Sequence, residues 1–198
     1  MNLPNKITLA RIVLTFFFVA FLLMKGFSAK AIALGIFVFA AITDYLDGWI
    51  AKRNNLVSNF GRIMDPVADK ALTISAFVTF SFMGIVPSKI VVIIILREVL
   101  VTSLRLKALM DGKVLSAASA GRKKTFSQMI SIFVILVFIL MKEGGNKVFP
   151  FWTSDVEYYF SQGILVLMII TAIFTVISGF SYFYDNRKYL FGDGKGAN

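Results

Sequence analysis

Apolar segments of about membrane-spanning length recur along the whole chain of 198 residues. The hydrocarbon core of a bilayer is about 30 Å thick, and roughly 20 apolar helical residues cross it. Six segments come close to that length: 7–24, 29–51, 60–83, 88–110, 126–141 and 158–182. The connections between them are too short to hold a second domain. We therefore predict an all-α integral membrane protein with six transmembrane helices, in one domain over residues 1–190, with a mobile polar tail over 191–198.

The composition excludes several other classes of protein. Hydrophobic residues make up 58% of the chain and charged residues 16%, whereas soluble domains have about half and a quarter. A soluble cytosolic fold and a disordered chain are therefore excluded. The chain has no cysteine and no histidine, which removes disulfides, thiolate chemistry, imidazole ligands and serine–histidine relays. Polar chemistry is left to carboxylates, Lys and Arg, hydroxyls and backbone groups.

The N-terminal segment resembles a secretory signal. It has Lys6 and Arg11, an apolar run, and an Ala-Lys-Ala sequence at 29–31 that resembles a cleavage site. Cleavage there would leave five spans and would put the charged groups discussed below on opposite faces. We therefore expect the first helix to be retained.

The basic residues indicate the orientation in the membrane. Five lysines fall on or beside the loops of one face: Lys25, Lys30, Lys89, Lys142 and Lys147. The other 16 Lys and Arg residues, including all seven arginines, lie at or lead to the opposite face. Because Lys and Arg are enriched on the cytoplasmic side, we place both termini there, in the plasma membrane. Topology and lipid headgroups account for the net charge of +10, so a nucleic-acid partner is not needed.

Four aspartates stand out within the apolar sequence. Asp44 and Asp47 are spaced i,i+3 in the second segment, and Asp65 and Asp69 are spaced i,i+4 in the third, so each pair shares a helix face. The link 52–59 is short enough to make the two helices an antiparallel hairpin, and both pairs should meet at its cytoplasmic end. A charged residue within the bilayer costs about 2.5–3.5 kcal/mol on insertion scales. Four such residues therefore predict a functional site.

The chemistry of this site is predicted from its donor atoms. Four converging carboxylates cannot all stay ionised in low dielectric unless cations neutralise them. With oxygen ligands only, Mg²⁺ or Mn²⁺ fits best. The alternative is a structural charge cluster with neighbouring basic residues, and we favour the metal because intramembrane ionisable groups are usually functional. Gly48 and Gly61 would let a bulky ligand approach, although close helix packing explains them as well.

At these residues the chain resembles the CDP-alcohol phosphatidyltransferase family, whose signature is D-x-x-D-G-x-x-A-R-x8-G-x3-D-x3-D. The chain reads Asp44-Tyr-Leu-Asp47-Gly48-Trp-Ile-Ala51-Lys52, then eight residues, Gly61, three residues, Asp65, three residues and Asp69. All fixed positions match except Lys52, where the family has arginine. Lysine keeps the positive charge for a phosphate but loses the bidentate fork of arginine.

Further stretches resemble the branch of this family that makes phosphatidylglycerophosphate. They are Asn2-Leu-Pro-Asn5-Lys-Ile-Thr8-Leu-Ala-Arg11, Asp65-Pro-Val-Ala-Asp69-Lys70, Leu96-Arg97-Glu98, Gly121-Arg-Lys-Lys124-Thr125 and Gln128-Met129. The resemblance implies a six-helix membrane enzyme, usually a homodimer, that opens to the cytosol. Such an enzyme transfers the phosphatidyl group of CDP-diacylglycerol to an alcohol, here glycerol 3-phosphate, and releases CMP.

The resemblance also implies roles for individual residues. Asp44, Asp47, Asp65 and Asp69 would hold two divalent ions, and Asp69 would in addition act as general base on the incoming hydroxyl. Binding of CDP-diacylglycerol would fall to six residues: Asn5, Thr8, Gly48, Lys52, Ser58 and Gly61.

The acceptor is a dianion, so a basic pocket is required. Arg97 and Arg105 are eight residues apart and roughly share one helix face. Arg122 and Lys124 lie at the cytoplasmic mouth of the next helix. We expect these four residues to bind the acceptor phosphate. For Arg97 an internal ion pair with Glu98 or with an aspartate is an equal alternative.

Two other functions remain open at this point. A small divalent-cation transporter would also use membrane aspartates, but no inverted repeat is visible and the carboxylates cluster toward one face. Within the family, a cardiolipin, phosphatidylserine or phosphatidylinositol-phosphate synthase is possible. Phospholipase-D-type cardiolipin synthases are excluded because their chemistry needs histidine.

Overall fold

The structure, a computed structural model, describes the backbone of residues 3–51, 59–112, 120–187 and 189. It describes the side chains of residues 10–43, 70–112, 121, 123–187 and 189. The described residues form six helices and no strand: α1 (Leu3–Leu23), α2 (Phe27–Ala51), α3 (Asn59–Phe82), α4 (Ser88–Met110), α5 (Ala120–Val148) and α6 (Ser154–Asp185). The prediction of six helices is confirmed. The predicted tail over 191–198 lies outside the described residues.

Helices α2, α3 and α4 begin and end within two residues of the predicted bounds, but α1 and α6 start four residues earlier. In α1 the early start includes Pro4, which suits a first turn because its missing N–H has no helical partner there. At the start of α6 the Thr153 side chain accepts a hydrogen bond from the Val156 N–H at 3.3 Å. This side-chain cap fixes the beginning of the helix.

Helix α5 extends well beyond the predicted 126–141. Its first turns contain the polar stretch 121–125, which we had assigned to a connection, but Lys124 is buried against α4 and this contact favours a helix. Its other end continues past Lys142 and Glu143 to Gly145, whose φ of 52° is non-helical. Glycine adopts this left-handed conformation without the Cβ clash of other residues, so the helix is interrupted there.

The helices run alternately up and down, which gives the bundle two distinct ends. At one end, called here the turn end, the Gly26 N–H donates to the Glu143 carboxylate and the Phe27 ring lies 6.1 Å from that of Phe149. At the other end α2 finishes and α3 begins, and the Tyr189 hydroxyl donates to Asp111 Oδ2 at 2.6 Å. This hydrogen bond raises the pKa of Tyr189. We call this second end the aspartate end, because it carries the ends of α2 and α3 on which the four aspartates lie.

The interior of the bundle is apolar toward the turn end. Buried aromatic and aliphatic side chains from all six helices form one continuous core, which includes Phe18, Phe37, Phe77, Val91, Ile135 and Met168. Polar contacts occur between α5 and α6, where the Ser127 and Ser131 hydroxyls each lie 2.7 Å from Thr171 Oγ1. The two helices are thus joined by buried hydroxyl groups rather than by apolar packing alone.

The outer surface is unusually apolar. Large hydrophobic side chains point outward along the helices, and Phe82 is 81% exposed and Phe180 73%. Two helices in the described residues are long and apolar enough to cross a membrane, Lys123–Val148 and Ser154–Asp185. With charges inside and phenylalanines outside, the fold is consistent with a membrane protein. The six predicted crossings stay a prediction.

Candidate active site

The aspartate pairs lie on the two helix ends joined by the connection 52–58. Asp47 is four residues before the end of α2, and Asp65 is six residues after the start of α3, so each is about 6–9 Å from the end of its helix. Helices α1 and α5 each contact both α2 and α3. The aspartate side chains lie outside the described ones, and the predicted metal site therefore stays a prediction.

The described part of the site centres on a buried carboxylate, Glu98, in the middle of α4. Its exposed fraction is 1%, and its Oε1 atom accepts hydrogen bonds from Lys124 Nζ and from Gln128 Nε2, the latter at 3.1 Å. Lys124 and Gln128 are one turn apart on α5 and are both buried. A buried charge costs several kcal/mol unless it is paired and hydrogen-bonded. Oε1 meets both conditions, whereas Oε2 is buried without a hydrogen-bond partner among the described residues.

Two further cations surround the same carboxylate. Lys70 Nζ on α3 lies 3.4 Å from Glu98 Oε2, and Arg97 Nη1 lies 3.5 Å from Oε1. The cluster of Glu98, Lys124, Lys70, Arg97 and Gln128, called here the Glu98 cluster, thus joins α3, α4 and α5. Its described charges are three cations and one anion. It therefore has two positive charges more than its own carboxylate neutralises.

Arg97 also contacts α6. Its Nη2 donates to Ser178 Oγ at 2.8 Å, and its Cγ would lie 3.2 Å from a Cβ at Gly179. Glycine at this position lets the arginine stem run close along α6. Two turns further along α4, the Arg105 guanidinium lies 5.9 Å from the centre of the Tyr182 ring. Helix α6 thus holds both arginines of α4 on one face, as their spacing predicts.

This face retains unused hydrogen-bonding capacity. Within the described residues, Arg97 Nε and the Tyr182 hydroxyl are buried without a hydrogen-bond partner. Buried polar groups are nearly always paired, so the contact between α4 and α6 is suited to a polar ligand. Tyr182 and Ser178, the partner of Arg97, both lie on the half of α6 nearer the aspartate end.

The Glu98 cluster adjoins the aspartates through α3. Lys70 directly follows Asp69 in the chain, so their Cα atoms are about 3.8 Å apart. Lys70, one of the cations that approach Glu98, therefore lies on the same turn of α3 as the predicted general base. A cluster of cations beside the predicted carboxylate ligands suits a reaction between two phosphate-bearing substrates.

The structure places the predicted site residues as follows. Asn5 and Thr8 are on α1, Gly48 is on α2, Gly61 is on α3, and Arg122 is on α5, all with side chains outside the described ones, while Lys52 and Ser58 are outside the described residues altogether. Arg97 and Lys124 meet at Glu98, and Arg105 lies further along the same face of α4. The roles predicted for all of these residues stay predictions.

Sequence reasoning missed four parts of this arrangement. Gln128 enters the sequence analysis only through the resemblance, and Lys70 only there and as an alternative partner of the aspartates. Ser178 and Tyr182 are not singled out at all. A signal for Gln128 was available, since Lys124 and Gln128 are spaced i,i+4 at the start of an apolar helix. For Ser178 and Tyr182 no local signal exists, because serine and tyrosine are ordinary in such a helix.

Comparison with known proteins identifies the family of the chain. The model of the CDP-alcohol phosphatidyltransferase family matches residues 1–177. A CDP-diacylglycerol–glycerol-3-phosphate 3-phosphatidyltransferase of Bacillus subtilis is 35% identical over 202 aligned positions, which cover 96% of this chain and 97% of the relative. A protein of the same name from Rickettsia felis is 35% identical over 189 positions, covering 95% and 97%. Another from Wigglesworthia glossinidia brevipalpis is 30% identical over 198 positions, covering 96% and 98%.

The chain therefore belongs to the CDP-alcohol phosphatidyltransferase family and is an enzyme of phospholipid biosynthesis. This family generally uses a divalent metal. The match spans the signature on α2 and α3 and also the Glu98 cluster on α3 to α5. Membership in a transferase family favours the enzyme over the cation transporter.

Proposed function

We propose that this chain transfers the phosphatidyl group of CDP-diacylglycerol to glycerol 3-phosphate, giving phosphatidylglycerophosphate and CMP. The observation that carries the proposal is the signature with its aspartates on two helix ends, joined by the connection 52–58. The names of the relatives support glycerol 3-phosphate as the acceptor. The excess positive charge of the Glu98 cluster suits this dianionic alcohol.

Four aspartates would hold the metal: Asp44, Asp47, Asp65 and Asp69. The donor set fits Mg²⁺ or Mn²⁺, because carboxylates are hard ligands and the chain has no Cys or His to favour a softer ion. Four carboxylates are enough for two ions. When bound, the ions neutralise the charge of the diphosphate and of the departing CMP.

Asp69 would act as general base. It would accept the proton of the acceptor hydroxyl while that oxygen attacks the phosphorus of the phosphatidyl group. The bond between this phosphorus and the CMP oxygen breaks, and CMP leaves with the bonding electrons. Because phosphoryl transfer depends mainly on positioning and on stabilisation of charge, the remaining residues of the site would serve to bind and orient the two substrates.

Two groups of residues would perform this binding. The cytidine diphosphate would contact Asn5, Thr8, Gly48, Lys52, Ser58 and Gly61, which come from the N-terminal helix and the signature. The acceptor phosphate would contact Arg97, Arg105, Arg122 and Lys124. Of these, Arg97 and Arg105 lie on the face of α4 that contacts α6, and Lys124 adjoins them through Glu98.

The proposed setting is the plasma membrane. All six helices would cross the bilayer, with both termini and the active site on the cytoplasmic side, and two copies would form a homodimer. The exposed phenylalanines support contact with lipid. The acyl chains of CDP-diacylglycerol would remain among the lipids, while its headgroup enters the polar interior, where charged side chains are tolerated.

Product analysis tests this function. The purified protein is incubated with CDP-diacylglycerol and, separately, glycerol 3-phosphate, phosphatidylglycerol, serine or inositol phosphate, and CMP and the lipid product are measured. We expect phosphatidylglycerophosphate from glycerol 3-phosphate alone, loss of activity in EDTA, and recovery with added Mg²⁺ or Mn²⁺. Product from another alcohol would reassign the acceptor. Substrate-independent metal uptake into liposomes, without CMP release, would instead indicate a transporter.

A further inference from the structure

Glu98 is the point at which the charges of three helices meet, and neither the signature nor the predicted binding residues include it. We propose that Glu98 is a positioning residue, which holds the ammonium groups of Lys70 and Lys124 in the arrangement that receives the acceptor phosphate. This inference rests on the proposed function, because it concerns how the site binds glycerol 3-phosphate. Glu98 itself would not touch the reacting atoms.

The contacts of Glu98 fix it in one orientation. Oε1 accepts from Lys124 and Gln128 on α5, while Oε2 faces Lys70 on α3. The side chain is 1% exposed, so water does not compete for these contacts. A carboxylate held on both oxygens by different helices determines the separation of the cations bound to it. In this way Glu98 couples the position of Lys124 to that of Lys70.

The charge balance distinguishes this cluster from an ordinary ion pair. Lys142 and Glu157 form a one-to-one pair with a 2.8 Å separation at the partly exposed surface of the turn end. Glu98 instead faces three cations, and one carboxylate cannot neutralise them. Buried positive charge in excess is costly unless an anion joins it. A phosphate dianion provides the two negative charges that the described cluster lacks.

The position of the Glu98 cluster favours binding of the acceptor phosphate over binding of the nucleotide. Lys70 adjoins Asp69, the base that would receive the proton of the acceptor hydroxyl. Arg97 and Arg105 extend the positive face along α4 toward the aspartate end. A phosphate bound beside Lys70 and Lys124 would therefore bring the alcohol of the same molecule near Asp69. Orientation of this kind accounts for much of the rate in phosphoryl transfer.

Steady-state kinetics of Glu98→Gln tests the inference. CMP release is measured first with glycerol 3-phosphate varied at saturating CDP-diacylglycerol. It is then measured with CDP-diacylglycerol varied at saturating glycerol 3-phosphate. We expect the KM for glycerol 3-phosphate to rise about 10- to 100-fold, the effect of losing an outer partner that orients a binding group. The KM for CDP-diacylglycerol should not change. Glu98→Asp, which keeps the charge but shortens the side chain, should give a smaller increase.

Two controls separate positioning from simple stability. Glu157→Gln makes the same chemical change in the one-to-one pair of the turn end, and it should alter neither KM. In a double-mutant cycle, Glu98→Gln combined with Lys124→Gln should raise the KM for glycerol 3-phosphate no more than Lys124→Gln alone does. The effects of residues that act through each other are not additive. Thermal unfolding of every variant shows whether kinetic changes follow lost stability.

Several results would overturn the inference. They are an unchanged acceptor KM in a folded Glu98→Gln enzyme, equal increases in both KM values, or additive effects in the cycle. If Glu98→Gln does not fold, Glu98→Asp decides by the same criteria, and if neither folds the role of Glu98 is structural. A wild-type enzyme that uses a different alcohol overturns the proposed function instead. If the wild-type enzyme uses glycerol 3-phosphate and Glu98→Gln has the same KM for it, only this inference is overturned.

Discussion

Lys30 and Lys124 are both almost completely buried, yet they belong to opposite ends of the bundle and have different partners. Lys30, at the turn end, donates to the carbonyl oxygens of Leu22 and Met24 at 2.6 and 2.7 Å. Lys124, on the side of the aspartate end, pairs with Glu98, which other cations share. The first lysine satisfies the last carbonyls of α1, where a cation is favoured by the helix dipole. The second belongs to a cluster with spare positive charge.

This comparison shows that burial of a charge does not by itself mark a functional site. What differs is the kind of partner: backbone carbonyls of a helix end bind Lys30, whereas Lys124 shares one carboxylate with two other cations. At the turn end two carbonyl oxygens at the end of α1 accept hydrogen bonds from Lys30, where the helix dipole favours a cation. At the Glu98 cluster the described groups remain two charges short of neutrality. We therefore expect substitutions at the turn end to affect stability, and substitutions around the aspartate end to affect turnover or substrate binding.

The largest effect should come from Asp69→Asn. The amide cannot accept the proton of the acceptor hydroxyl, and loss of a general base lowers kcat by about 10²- to 10⁴-fold. Folding and binding of CDP-diacylglycerol should persist, because the substituted side chain has nearly the same shape. CMP release and a liponucleotide binding assay measure the two properties separately.

Asp155→Asn provides the matched control for this change. Asp155 is exposed in the first turn of α6, at the turn end, and the same Asp-to-Asn substitution should leave turnover unchanged. Near-normal kcat in Asp69→Asn would reject its role as base. It would also remove the functional contrast between the two ends of the bundle.

Arg105→Ala should have the next largest effect. Its guanidinium lies over Tyr182 on the face of α4 that also carries Arg97. A hydrogen bond to a charged group contributes about 1.5–3 kcal/mol, so loss of this contact should raise the KM for glycerol 3-phosphate about tenfold or more. The KM for CDP-diacylglycerol should change less. Initial rates at varied concentrations of each substrate provide both values.

Lys107→Ala is the control for Arg105→Ala, because Lys107 is an exposed cation two residues further along the same helix and thus on a different face. It should leave the acceptor KM unchanged. Equal effects of the two substitutions would show that only the general positive charge of α4 matters. An unchanged KM in Arg105→Ala would exclude this residue from the acceptor pocket.

The number of helices was predictable because each apolar segment has to be long and continuous. Their ends were less predictable where charges are buried. The sequence pattern predicts a connection over the polar stretch 121–125, although its Lys124 is buried in a helix against a carboxylate 26 residues away. Such a contact depends on the tertiary packing of α4 and α5, and no local pattern reveals it.

The candidate site was predictable to a similar extent. The shared face of Arg97 and Arg105 followed from helical periodicity, and the structure confirms that both contact α6. The identity of their partners did not follow, because Ser178 and Tyr182 become significant only once α6 lies against α4. Glu98 was considered as a partner of Arg97 alone, since sequence spacing cannot show that a lysine from another helix reaches the same oxygen.

The smallest of these effects, and a purely structural one, is expected for Lys30→Met. Methionine keeps the apolar stem but leaves the Leu22 and Met24 carbonyls without their donor, which costs about 1–3 kcal/mol. The thermal midpoint should fall, while both KM values and the kcat of the folded enzyme should stay at wild-type levels. Lys25→Met, at an exposed lysine of the same turn, should lower the midpoint less.

An acceptor KM that rises in Lys30→Met as it does in Arg105→Ala would mean that the two ends are coupled. In that case, the difference between a lysine bound by helix-end carbonyls and a lysine in a cluster of several cations would not separate structural from functional residues in this fold.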